Sequence, residues 1–150
     1  MIQFHEIGNY KNSVNIGFCE ATVEFHNGMV AEWDKAAKTA SLPTDATAEG
    51  LALVMNIIEK PEIASPNEYV IEVGEYPRLF TLASLKDRLL DMDMDQVSGE
   101  YEDISVGDYL VPNTDGQWEV SADASSYAAY LEVVELTGYN YEGLRVLVHA

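Results

Sequence analysis

The stretch SVGDYLVPNTDGQWEVS, residues 105–121, decides how this chain is read. Two runs rich in apolar and aromatic residues, DYLV and QWEV, flank a cluster of turn-formers, PNTDG. Proline pre-sets φ for a turn, and Asp115-Gly116 accepts the left-handed backbone that most residues avoid. The stretch therefore reads as a hairpin of two short strands, and the rest of the chain repeats that grammar.

Upstream, NIGFCEATVEFHNGMVAEWD (residues 15–34) sets Cys19, Ala21, Val23 and Phe25 against Phe18, Glu20, Thr22 and Glu24, the period of two of a half-buried strand. Asn27-Gly28 then predicts a tight hairpin turn, MVAEWD its return strand, and AAKTASLPT a third strand closed by Pro43, together a β-meander. Residues 51–58 form an apolar run, broken only by Asn56, between Gly50 and Pro61 and read as a buried strand. EYVIEVGEY alternates again, with Gly74 marking a bulge or bend. Downstream, AAYLEVVEL and LRVLVHA predict two strands around a Gly- and Tyr-rich loop. SLKDRLLDM supplies the single helix expected, at about residues 84–90. Ser84 would cap it, Asp87 sits three residues on, and Leu85, Leu89 and Leu90 would form its buried face. The expected fold is mainly β: a compact antiparallel barrel or sandwich with one short helix. It forms a single domain over residues 14–150, preceded by an N-terminal arm at 1–13.

Composition excludes several classes of function. Eight Lys and Arg face 26 Asp and Glu, a formal charge of −18, which repels phosphate backbones and anionic lipid. We therefore expect no nucleic-acid and no membrane partner. No Lys or Arg lies between Arg88 and Arg145, so the C-terminal third presents an anionic exterior. The lone cysteine, Cys19, forms no intrachain disulfide and fits a reducing cytosol. With no basic neighbour in its alternating strand, it reads as packed rather than reactive. The N-terminus lacks the pattern of a signal peptide, and no apolar run approaches a membrane span.

Candidate chemistry is sparse. DMDMDQVSGEYE, residues 91–102, nearly matches a calcium loop, with Asp91, Asp93 and Asp95 at alternate positions and Glu102 as the bidentate ligand. Gln96, however, stands where glycine must make the sharp turn. The rival reading is an edge strand with Leu90, Met92 and Met94 inside and the aspartates outside. His5, His26 and His149 lie in no metal or nucleophile motif, and Ser84 and Ser98 in no nucleophile elbow. We expect no enzyme, no cofactor and no metal. Tyr127, Tyr130, Tyr139 and Tyr141 gather near the C-terminus with Trp118. Tyr and Trp suit both protein contacts and a half-buried sheet.

The C-terminal half, ISVGDYLVPNTDGQWEV followed by YLEVVELTGYNYEGLRVLV, resembles capsid decoration (cement) proteins of tailed bacteriophages, and the middle of the chain is consistent with that group. In that family a strand leads into a VGD turn, an apolar strand follows, and a polar hairpin leads to a Trp-bearing strand. The resemblance extends from about Val14 to the end and implies a virion structural protein that binds the outer surface of an assembled shell. The major capsid protein would be its partner, and a homo-oligomer, a trimer at capsid three-fold positions, would match. The partner-binding residues expected are Ile2, Phe4 and Ile7 of the arm, with Trp118, Tyr139 and Tyr141. Two alternatives stay open for the whole chain: another virion component of the head-tail or tail kind, and a soluble ligand-binding β module. For the arm, the alternative is a first strand of the core.

Overall fold

The computed structural model describes residues 1–6, 13–58, 62 and 65–150. Twelve short strands are present among them: β1 (Ile2–Phe4), β2 (Glu20–Ala21), β3 (Val30–Asp34), β4 (Thr39–Ser41), β5 (Ala52–Val54), β6 (Leu79–Thr81), β7 (Leu89–Asp93), β8 (Val97–Ser98), β9 (Tyr109–Pro112), β10 (Trp118–Ser121), β11 (Tyr130–Thr137) and β12 (Gly143–His149). They form a seven-stranded sheet of order β1-β7-β12-β11-β9-β10-β8 and a five-stranded sheet of order β2-β4-β3-β5-β6. The fold is mainly β and sandwich-like. Neither sheet closes into a barrel, and each carries one parallel pair, β10 with β8 and β2 with β4.

The opening hairpin is present: β9 pairs antiparallel with β10, and Gly116 takes φ +74° in the turn. Asn113 organises that turn, its Oδ1 accepting the amides of Asp115 (3.0 Å) and Gln117 (2.9 Å). The apolar run around β5 is explained by burial on both faces. Leu51, Leu53 and Met55 join Val30 and Phe80 against Leu90, Leu110, Trp118, Leu131, Val133 and Val146 of the larger sheet. Ala52 and Val54 point the other way, into a second core with Cys19, Ala21, Phe25, Ala31, Ala40, Ile71 and Leu79.

The first core excludes the arm reading for Ile2 and Phe4. β1 pairs antiparallel with β7, placing Ile2 opposite Met92 and Phe4 opposite Leu90, and both side chains are buried. Phe4 meets Phe80 edge to face, with centroids 5.7 Å apart, which fastens the larger sheet to the smaller. The N-terminal strand is thus an element of the core. Ile7 lies outside the described residues.

Three further expectations are corrected. The helix at 84–90 is absent. Leu82–Leu85 instead makes one 3-10 turn, with Thr81 Oγ1 accepting the Ser84 amide. Asp87 then takes φ +62°, a conformation no helix continues through, and Leu89 opens β7. The turn at Asn27-Gly28 exists, with Gly28 at φ +98° and the Met29 amide bonded to the His26 carbonyl, but it does not join a hairpin. Asn27 exchanges hydrogen bonds with the Asn56 backbone (2.9 and 2.7 Å), and β3 pairs with β5 and β4. The segment 16–25 lies instead against β4 and residues 71–79, through bonds such as Ala21 N–H to Glu75 O and Phe25 N–H to Ile71 O. Finally, β7 is an interior strand between β1 and β12, not an edge.

Because Phe4 sits in the core, Phe4→Ala should lower the unfolding free energy by about 3–5 kcal/mol in a urea titration. A change below about 0.5 kcal/mol would mean that β1 does not contribute to stability.

Candidate functional site

β7 brings two aspartates to the outer face of the larger sheet, where both are buried, Asp91 8% and Asp93 3% exposed. A bare buried carboxylate is costly, so each must be met by cations or hydrogen-bond donors. Cross-strand register supplies them. Asp91 lies opposite Arg145 on β12, which lies opposite Glu135 on β11. Arg145 Nε donates to Asp91 Oδ1 at 2.9 Å, and its Nη1 pairs with Glu135. His5 Nδ1 lies 3.0 Å from Asp91 Oδ2. The register of β11 slips between Val133 and Glu135, and this bulge sets Glu135 opposite Arg145.

Asp93 binds the chain terminus and a loop at once. Its Oδ1 pairs with the Met1 ammonium and accepts the Asp95 amide, while its Oδ2 accepts from Asn140 Nδ2 at 2.7 Å. Asn140 belongs to the loop between β11 and β12. Three further contacts hold this loop at its base. Tyr101 Oη donates toward the carbonyls of Thr137 (3.3 Å) and Gly143 (3.4 Å), and Thr137 Oγ1 accepts the Tyr139 amide. Gly143 has no room for a side chain: a Cβ there would meet the Tyr139 nitrogen at 2.7 Å and Thr137 Oγ1 closer still.

This anchored loop presents Tyr141, 94% exposed and at φ +78°, beside Asn140 at φ +50°. Asn tolerates the left-handed region, but a bulky aromatic there carries a cost of about 1–3 kcal/mol that the surrounding contacts must hold in place. The result is a rigid base with a projecting aromatic tip.

The residues expected to bind a partner are dispersed by the fold. Ile2 and Phe4 are core residues. Trp118 is fully buried, its indole Nε1–H donating 2.8 Å to the Gly28 carbonyl, and it leaves no surface for a partner. Tyr139 is half-buried, and among the described residues of that set Tyr141 alone projects into solvent. Sequence reasoning missed Asn140 and Gly143, and singled out Asp93 only as a candidate calcium ligand, not as the anchor of the terminus and the loop. For Arg145 a signal existed, since a solitary cation in a long acidic stretch is a natural partner for a buried carboxylate.

No group of three or more His, Cys, Asp or Glu residues suited to a metal occurs among the described residues. His5 hydrogen-bonds Asp91, and His149 stacks on Tyr130 while bonding Glu132 at 2.7 Å. Cys19 is buried, and desolvation, with the Asp34 charge second, pushes its thiol pKa up, away from the reactive thiolate. No helix among the described residues is long and apolar enough to cross a membrane. Comparisons of the chain with protein-family models, with curated proteins and with solved structures return no match.

Asp93→Ala would leave the Met1 ammonium and Asn140 without their shared acceptor. We expect it to lower the unfolding free energy by about 1–3 kcal/mol, against less than about 1 kcal/mol for Asp95→Ala, whose carboxylate is exposed. Equal effects in chemical denaturation would contradict the anchoring role of Asp93.

Proposed function

We propose that this protein is a structural binding protein that docks on an assembled protein shell, with the tip of the β11–β12 hairpin as its anchor. The observation that carries the reading is Tyr141, an aromatic side chain held in solvent at a strained backbone position on a loop tied down from below. Backbone strain retained at an exposed aromatic points to use of that residue, and tyrosines are favoured anchors at protein contacts. The resemblance to decoration proteins of tailed bacteriophages supports a capsid as the shell, with the major capsid protein as the partner and a homo-oligomer as the bound form. Many copies on a lattice let modest single contacts add to a durable coat. The formal charge of −18 disfavours association between free copies and suits a complementary basic surface on the partner. A head-tail or tail accessory protein would share this chemistry and differ in its place on the particle.

Mixing the purified protein with undecorated capsids and sedimenting the particles tests the reading. The parent chain should co-sediment at a saturable ratio. Tyr141→Gly should bind at least tenfold more weakly, while its thermal midpoint stays level or rises, because glycine relieves the positive φ. Failure of the parent chain to co-sediment overturns the shell reading, and full binding by Tyr141→Gly removes the tip from it.

A further inference from the structure

A groove of about 390 Å³ opens beside β1, bounded by Ile2 and Gln3 on one side and by Ile57 and Ile58, which follow β5, on the other. This falls within the size range of small-molecule sites. Among the described residues its lining carries no Asp or Glu, although 26 of the chain's 150 residues are acidic; its cationic groups are the Met1 ammonium, already paired with Asp93, and one side chain, Arg78. Arg78 is half-buried, and its guanidinium makes no ion pair and no hydrogen bond among the described residues. Elsewhere the arrangement is the opposite: Arg145 is bound by two carboxylates.

The wall around Arg78 is built and already satisfied. The Arg78 amide donates to Asn56 Oδ1 at 2.6 Å and its carbonyl accepts the Met55 amide at 3.0 Å. Asn56 Nδ2 donates to Tyr69 Oη, and Asn27 is held by the Asn56 backbone. These bonds fix the backbone of Arg78 and use up the two asparagines. What remains for an incoming molecule is the guanidinium, the exposed carboxamides of Gln3 and Asn15, and an apolar side of Ile2, Ile57, Ile58 and Phe80. A planar guanidinium with neutral amides beside it and aliphatic surface behind it matches a carboxylate on an apolar body. The net charge argues for a single negative charge, since the field of the whole chain repels a dianion twice as strongly.

We propose that this groove binds a small aliphatic monocarboxylate, with the carboxylate on Arg78 and the chain along Ile57, Ile58 and Phe80. The site is independent of the shell-docking reading: either can fail without the other.

Octanoate is the probe, and octanamide, of nearly the same shape but uncharged, is its control. By isothermal titration calorimetry of the full chain, octanoate should bind saturably at one per protein and octanamide at least tenfold more weakly. Arg78→Gln should weaken octanoate at least tenfold and leave octanamide unchanged, with Arg78→Lys in between. The backbone bonds of residue 78 persist in these variants, so their thermal midpoints should stay close to the parent's. Amide shifts on adding octanoate should cluster at residues 2–3, 56–58 and 78–80. Absence of octanoate binding, equal affinity for acid and amide, or shifts confined to other residues would each overturn the proposal. The acid-against-amide comparison in the parent chain decides the matter even where a variant folds poorly.

Discussion

The bond from the Trp118 indole to the Gly28 carbonyl joins elements 90 residues apart at a fully buried position. It ties the larger sheet, through β10, to the turn that opens β3 in the smaller one. The same corner contains the bond from the Val30 amide to the Gly116 carbonyl at 2.7 Å. It also contains a close approach that only glycine allows, since a Cβ on Gly116 would meet the Val30 oxygen at 2.9 Å. The hairpin PNTDG is therefore a joint between two sheets as well as a local turn. Losing the indole donor would leave the Gly28 carbonyl buried without a partner, and such a group costs more than the bond itself contributes.

Charge is the second constraint. A chain with 18 more acids than bases must either expose its carboxylates or bring donors to them. Most carboxylates are exposed. Among the described residues Asp91 and Asp93 are the buried exceptions, and four groups converge on them from three parts of the chain: the Met1 ammonium and His5 on either side of β1, Asn140 in the β11–β12 loop, and Arg145 on β12. That convergence binds the N-terminal strand and the β11–β12 loop to one interior strand. The stability of the edge and the placing of Tyr141 thus share a single cause.

Local grammar made much of this legible. The period of two over residues 18–25 marks burial correctly: Cys19, Ala21 and Phe25 are inside while Phe18, Glu20, Thr22 and Glu24 are out. It cannot name the partner, and the backbone of this segment bonds to β4 and residues 71–79 rather than to the strand after its own turn. The helix expected at 84–90 failed because Leu85, Leu89 and Leu90 satisfy a helical face and a turn followed by a strand equally well, and core packing chose the latter. Alternation in DMDMD showed two faces but not that β1 and β12 would flank the strand and supply donors to its polar side. Residue type proposed Tyr141 and Trp118 alike as contact candidates, and the exposure of Tyr141 was legible from its polar, Gly-rich loop. The burial of Trp118 was not, because the same polar tip that suits an interface also serves a buried bond. The cores depend on contacts between residues far apart in sequence, which no local pattern encodes.

Native-state hydrogen exchange tests most directly whether the corner makes one cooperative body of the two sheets. The Trp118 indole N–H and the Val30 amide should exchange with the same free energy as the central amides of β11 and β12, through global unfolding alone. Exchange of the Trp118 indole and of β3 and β5 amides at clearly lower free energy, with β11 and β12 still protected, would show the smaller sheet opening on its own. That result would contradict the role of the bond between Trp118 and Gly28 as the joint that makes the two sheets fold as one.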